Sequence, residues 1–230
     1  MIRHFVDIDN FSKKTLDKIL DNALKIKSNK TSYKDILKDK TLALLFNKQS
    51  LRTRMSFHVG MKKLGGNVIQ LNSDEIGFGK RESEEDILKT ISQYVDCLII
   101  RNNDHKKINQ YASLNILPII NGLSNVSHPC QTLSDIFTLK EKFGKISNIK
   151  ICWIGDYNNV LRSLIHAQNL YLFKLNIVLP KKILNKVKTN NKTNKKIFFT
   201  DNIKIGATKS DCIMADVWIS MGEKNKSKKN

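Results

Sequence analysis

No uninterrupted apolar stretch in these 230 residues approaches the ~20 needed for a membrane-spanning helix, so no membrane partner is expected. The amino-terminal stretch Met1-Ile2-Arg3-His4-Phe5-Val6-Asp7 has no apolar core of a signal peptide and no Arg/Ser-rich, acid-poor lead of a transit peptide. The expected compartment is the cytoplasm. Cysteine is scarce: Cys97, Cys130, Cys152 and Cys212 lie far apart. No Cys-x-x-Cys pair or close Cys/His cluster suggests zinc, and three of the four sit in or beside apolar runs, as buried free thiols do. Acidic residues are also short, 21 against 40 Lys and Arg, a formal net charge of +19. Such a charge permits nucleic-acid binding. However, lysine is spread along the chain, asparagine is abundant beside it as A/T-rich coding would give, and no aromatic-interleaved basic motif occurs. The charge is therefore read as compositional bias with a generic attraction for dianions, and no nucleic-acid partner is expected.

What is present is a globular composition, 40% apolar and 27% charged, in a length that holds one large domain or two small ones. Ser12 is placed to cap a helix from Lys13 to about Lys27 with Leu16, Ile19, Leu20, Ala23 and Leu24 as its apolar stripe. Strands are predicted at 41–46, 67–71, 97–101 and 116–120, separated by helical patterns at 55–64, 84–94 and 106–113. A helix from Pro129 to about Phe143, stopped by Gly144, leads into a second alternation: strands at 150–154, 176–179, 197–199 and 212–215, and a helix at 160–172. Short apolar runs alternating with helices predict parallel sheets covered on both faces. The expected architecture is α/β, two doubly wound parallel-sheet domains joined by a helix, covering 1–130 and 131–230. The stretch 181–196 is Lys/Asn-rich with few apolar residues, and Lys224 to Asn230 has none; the second domain is expected to be incomplete.

Two short motifs carry the chemistry. Ser50-Leu51-Arg52-Thr53-Arg54 lies between a strand and a helical pattern. Backbone N–H groups, the positive end of a helix dipole, two hydroxyls and a guanidinium meet there, which suits a phosphate. A solvated cationic helix start is the competing reading of that motif taken alone. His128-Pro129-Cys130-Gln131 places an imidazole and a carboxamide on the first turn of another helix. Arg101 ends an apolar strand, where open α/β sheets bind ligands. Gly155-Asp156-Tyr157-Asn158-Asn159 also joins a strand to a helix, but without Gly-x-Gly-x-x-Gly a nicotinamide cofactor is poorly supported.

Ser-x-Arg-Thr-Arg with His-Pro-Cys-Gln-x-Leu-x-Asp resembles the carbamoyltransferases. Gly155–Val160 and Asp216-Val217-Trp218-Ile219-Ser220-Met221-Gly222-Glu223 resemble the ornithine branch specifically. The resemblance runs from Phe5 almost to Glu223, its four landmarks in the family's order. It implies an enzyme that moves a carbamoyl group from carbamoyl phosphate to the δ-amine of ornithine, giving citrulline and phosphate, with no metal or cofactor. By that resemblance Ser50, Leu51, Arg52 and Thr53 bind the phosphate, and Arg101 and His128 are catalytic, reaching the carbonyl oxygen. Gln131 holds the carbamoyl nitrogen, while Asn159, Asp216, Ser220 and Met221 receive ornithine. Leu51 stands where the family usually has Thr. The resemblance also implies a homotrimer, with the loop bearing Lys80 and Arg81 reaching a neighbouring subunit. The family's closing segment, with a Cys-Leu-Pro motif, does not follow Glu223. An inactive truncated remnant that still binds carbamoyl phosphate is therefore the alternative expectation.

Overall fold

The computed structural model describes residues 2–29, 31–47, 50–188 and 194–215. The chain forms two compact units, Met1–Cys130 and Gln131–Asn230. Each holds a four-stranded sheet whose strands all pair in parallel.

In the first unit the strands are β1 (Thr41–Phe46), β2 (Asn67–Leu71), β3 (Cys97–Arg101) and β4 (Ile119–Leu123), in the order β2-β1-β3-β4. β1 is central and is buried at every position from Leu42 to Phe46. It reads as an unbroken apolar run because helices cover both faces of the sheet. On one face Ala43, Leu45, Leu98, Ile100 and Ile119 pack with Leu88 of α3 (Glu84–Ser92) and with Ile108 and Tyr111 of α4 (His105–Ser113). On the other, Leu42, Leu44, Phe46 and Ile99 meet Phe57 and Met61 of α2 (Leu51–Lys63). α1 (Lys13–Ser28) buries Leu16 and Leu20, and Ser12 Oγ accepts from the Thr15 N–H at its start. Phe5 bridges to Ile120 outside β4.

Several element bounds shift from the sequence expectation, and two of the shifts matter here. β4 starts three residues later than the apolar run because Pro118 has no N–H to give a ladder; its carbonyl accepts from Leu98 N instead. α2 begins at Leu51 rather than Met55, so the cationic motif is the helix's first turn.

In the second unit β5 (Lys150–Ile154), β6 (Lys174–Val178), β7 (Ile197–Thr200) and β8 (Cys212–Ala215) take the order β7-β6-β5-β8. Trp153, Phe173, Leu175 and Ile177 are buried, as are Leu161, Leu164, Ala167 and Tyr171 of α6 (Asn159–Tyr171). The Lys/Asn-rich stretch forms α7 (Lys181–Lys188), which buries Leu184. α8 (Ile203–Ala207) lies on β5, β6 and β7, and a Cβ at its Gly206 would overlap the Val178 side chain. α5 (Pro129–Phe143) carries the chain from the first unit into the second. Among the described residues no helix is long and apolar enough to cross a membrane.

Candidate active site

The first sheet reverses direction between β1 and β3: the chain winds from β1 to β2 on one side and returns as β3 on the other. Open α/β sheets form their ligand crevice at such a point, outside the carboxyl ends of the strands. Ser50 follows β1 there, and Arg101 ends β3. Arg101 is 3% exposed, and its carbonyl accepts from Asn47 N–H at 3.1 Å, tying the two strand exits together. Its Nη1 donates to Ser50 Oγ at 2.8 Å and to Thr53 Oγ1 at 3.4 Å. Burial holds the Arg101 pKa below the usual guanidinium value. Between Ile100 and Arg101 the pairing with β4 slips, from Asn121 to Leu123, a bulge that re-aims the arginine as bulges near sites do.

Ser50 occupies the cap position of α2 but makes no side-chain capping bond. Its hydroxyl instead accepts from Arg101, so it does not cap the helix's first N–H groups. Arg52 and Leu51 are exposed on that turn, Leu51 at 78%. Arg54 takes a different part. With the Gln70 amide on β2 oriented to accept, its oxygen lies 2.7 Å from Arg54 Nη2 and 2.9 Å from Nε. Arg54 thus anchors α2 to the sheet edge.

His128 ends the loop after β4 and precedes α5. Burial first, and the Arg101 charge second, push its pKa down to about 4. The imidazole is neutral at pH 7 and offers one N–H. Cys130 Sγ donates to Asn121 O at 3.4 Å, and Asn121 Nδ2 donates to Val6 O at 3.0 Å. Burial raises the Cys130 thiol to about 12, too high for a nucleophilic thiolate.

On the second unit, Gln131 is exposed and its Nε2 donates to Asp135 Oδ1 at 2.9 Å. Burial raises Asp135 to about 6, against the lowering effect of that bond. The folded pKa lies above the unfolded value of 3.8. Its contribution to stability is therefore complete below about pH 4 and lost as pH rises through about 6. Asp135→Asn should gain about 2 kcal/mol on the wild type between pH 4 and pH 7, measured by denaturant unfolding at each pH. A constant difference across that range would rule the assignment out.

The second sheet reverses between β5 and β8. After β5, Trp153 Nε1 donates to Asp156 O at 3.2 Å. Asn158 Oδ1 accepts from Val160 N at 3.0 Å and Leu161 N at 3.2 Å, capping α6. Asn159 is the helix's first residue and is half-buried. Asp216, Ser220 and Met221 lie outside the described residues. The structure therefore joins Ser50, Thr53 and Arg101 directly and couples His128 to Arg101 electrostatically. In the loop with Lys80, Phe78 packs edge-on to Tyr111 at 5.7 Å, and Lys80 pairs with Asp74 at 2.9 Å.

Residues 3–141 match the family model described as aspartate/ornithine carbamoyltransferase, carbamoyl-P binding domain. Residues 147–230 match that of the Asp/Orn binding domain. The chain is 38% identical over 238 aligned positions to the ornithine carbamoyltransferase of Aquifex aeolicus, covering 99% of this chain and 77% of that protein. It is 37% identical over 228 positions to that of Methanocaldococcus jannaschii, covering 96% and 75%. The crystal structure of the Burkholderia thailandensis ornithine carbamoyltransferase superposes with a TM-score of 0.85 at 34% identity, over 94% of this chain and 76% of that one. That of Thermus thermophilus gives 0.82 at 33%, over 95% and 75%. The chain thus spans about three quarters of the length of these relatives.

Proposed function

The chain belongs to the aspartate/ornithine carbamoyltransferase family, and from that premise we propose that it transfers the carbamoyl group of carbamoyl phosphate to the δ-amine of ornithine, giving citrulline and phosphate. The observation that carries the reading is the buried Arg101 guanidinium holding the Ser50 and Thr53 hydroxyls at the switch point of the first sheet.

In this reading the first unit binds carbamoyl phosphate. The N–H groups at the start of α2, with Ser50, Arg52 and Thr53, take the phosphate; Leu51 contributes its backbone only. Arg101 and His128 donate to the carbonyl oxygen and stabilise the charge that grows there. A neutral His128 does this without placing a second cation beside Arg101. Gln131 holds the carbamoyl nitrogen. The second unit binds ornithine through Asn159, Asp216, Ser220 and Met221. The neutral amine attacks the carbonyl carbon, the C–N bond forms, the nitrogen sheds a proton, and phosphate departs with the electrons of the C–O bond. Phosphate is a good leaving group, so the proposed chemistry needs no metal or cofactor, and much of the rate comes from positioning two substrates. A role in arginine metabolism, a cytoplasmic location and a homotrimer complete the proposal.

The test has two parts. Calorimetry with carbamoyl phosphate or a phosphonate mimic should show binding that Arg52→Ala weakens at least roughly tenfold, since a charge-assisted contact contributes about 1.5–3 kcal/mol. Equal affinity in both would remove Arg52 from the cradle. Citrulline formation from carbamoyl phosphate and ornithine then separates transfer from binding alone; binding without citrulline would leave carbamoyl phosphate capture as the chain's function.

A further inference from the structure

His105 opens α4, a short loop beyond Arg101. Its Nδ1 lies 2.8 Å from Ser124 Oγ, and its backbone N–H donates to Asn125 Oδ1 at 3.4 Å. Ser124 and Ser127 are both buried. The segment 124–127, which delivers the chain to His128, closes around the Ser124 hydroxyl. Ser127 N–H and Val126 N–H donate to Oγ at 3.0 and 3.3 Å, and Ser124 N–H donates to Ser127 O at 2.9 Å. A hydroxyl has two lone pairs and one proton. The two N–H groups occupy the lone pairs. Of the acceptors in reach of the proton, His105 Nδ1 at 2.8 Å is nearer than Ser127 O at 3.3 Å. A bond donated by Ser124 Oγ to His105 Nδ1 uses the tautomer that carries its proton on Nε2.

We propose that His105 is a positioning residue that, through Ser124, holds the His128 turn in register with Arg101. The inference rests on reading Arg101 and His128 as the pair that faces one carbonyl oxygen. Those two groups leave adjacent strands whose register slips at Arg101. Backbone bonds also join the two exits: Asn102 N–H to Leu123 O at 3.2 Å and Asn125 N–H to Asn103 O at 3.0 Å. These bonds fasten the loop ends, whereas the His105 imidazole fastens the hydroxyl at the centre of the turn.

Asparagine at 105 places a polar atom near the position of Nδ1, whereas glutamine places it near Nε2, so the first keeps the bond to Ser124 and the second does not. In His105→Ala and His105→Gln, kcat for citrulline should fall roughly 10–100-fold, while KM for carbamoyl phosphate stays within about threefold because α2 is untouched. His105→Asn should recover most of kcat. The imidazole titration of His128, followed by NMR, gives a readout independent of turnover. Its midpoint should rise by about one unit or more in the Ala and Gln variants, as water enters a loosened turn, and return in the Asn variant. An unmoved midpoint in the Ala variant, or equal midpoints in Asn and Gln, overturns the proposal whatever turnover does. The Asn–Gln comparison decides alone should the Ala variant not fold. A wild type that makes no citrulline defeats the functional reading but leaves the titration to judge His105.

Discussion

Arg101→Met should cost roughly 100-fold or more in affinity for carbamoyl phosphate or a phosphonate mimic. The guanidinium is buried and organises both hydroxyls of the cradle, so its loss removes a charge-assisted contact and unseats Ser50 and Thr53 together. Such contacts contribute about 1.5–3 kcal/mol each, and groups acting as one network lose more than their sum. Methionine fills a similar volume without a charge. Burial already works against the charged form of Arg101, so the fold should survive the exchange. The check is calorimetric titration of both proteins, with far-UV circular dichroism to show equal secondary structure. An affinity within threefold of the wild type would show that Arg101 does not face the ligand.

His128 should make the protein acid-sensitive. Its folded pKa of about 4 lies below its ordinary 6.5. For a group so depressed, the contribution to stability is fully present above the unfolded pKa and lost as pH falls through the folded one. Between pH 7 and pH 4 the wild type should therefore lose about 3 kcal/mol relative to His128→Asn. Asp135 has the opposite sign over an overlapping window, so the wild-type pH curve alone blurs the two. Denaturant unfolding of wild type and His128→Asn at several pH values isolates the histidine. Parallel curves would mean that the imidazole stays as hydrated as in the unfolded chain. The same depressed pKa means that this histidine should impose no activity transition near pH 6.5.

Much of the fold is legible in the sequence because buried parallel strands announce themselves. β1, β3 and β5 are largely buried apolar runs, and these three, with β2 and β8, fall at the predicted bounds. β4 shows the limit: hydrophobicity continues through Pro118, but the hydrogen-bond ladder cannot. Strand order is not in the pattern at all, since nothing local says that β1 lies between β2 and β3. The bond between Arg101 and Ser50, 51 residues apart, follows from that order and is equally unreadable. The different part played by Arg54 follows from its place one residue further along α2 than Thr53, facing Gln70. The part of His105 is not legible in the sequence, because a histidine at a helix start has many ordinary uses and its partner Ser124 comes 19 residues later. Asp216, Ser220 and Met221 keep their reading from sequence resemblance alone.

On the proposed reading, the clasp of Arg101 on Ser50 and Thr53 should also act as a charge-state filter. A hydroxyl oxygen that accepts from a guanidinium turns a lone pair inward, and its own proton is then directed outward and polarised. Two such hydroxyls beside the α2 N–H groups form a surface composed of donors. A fully ionised phosphate, which only accepts, matches it. A monoanion must place its P–OH proton against a surface rich in donors. In the proposed function, protonation of the ligand's phosphate, rather than of Ser50, Thr53 or Arg101, should set the acid limit of capture.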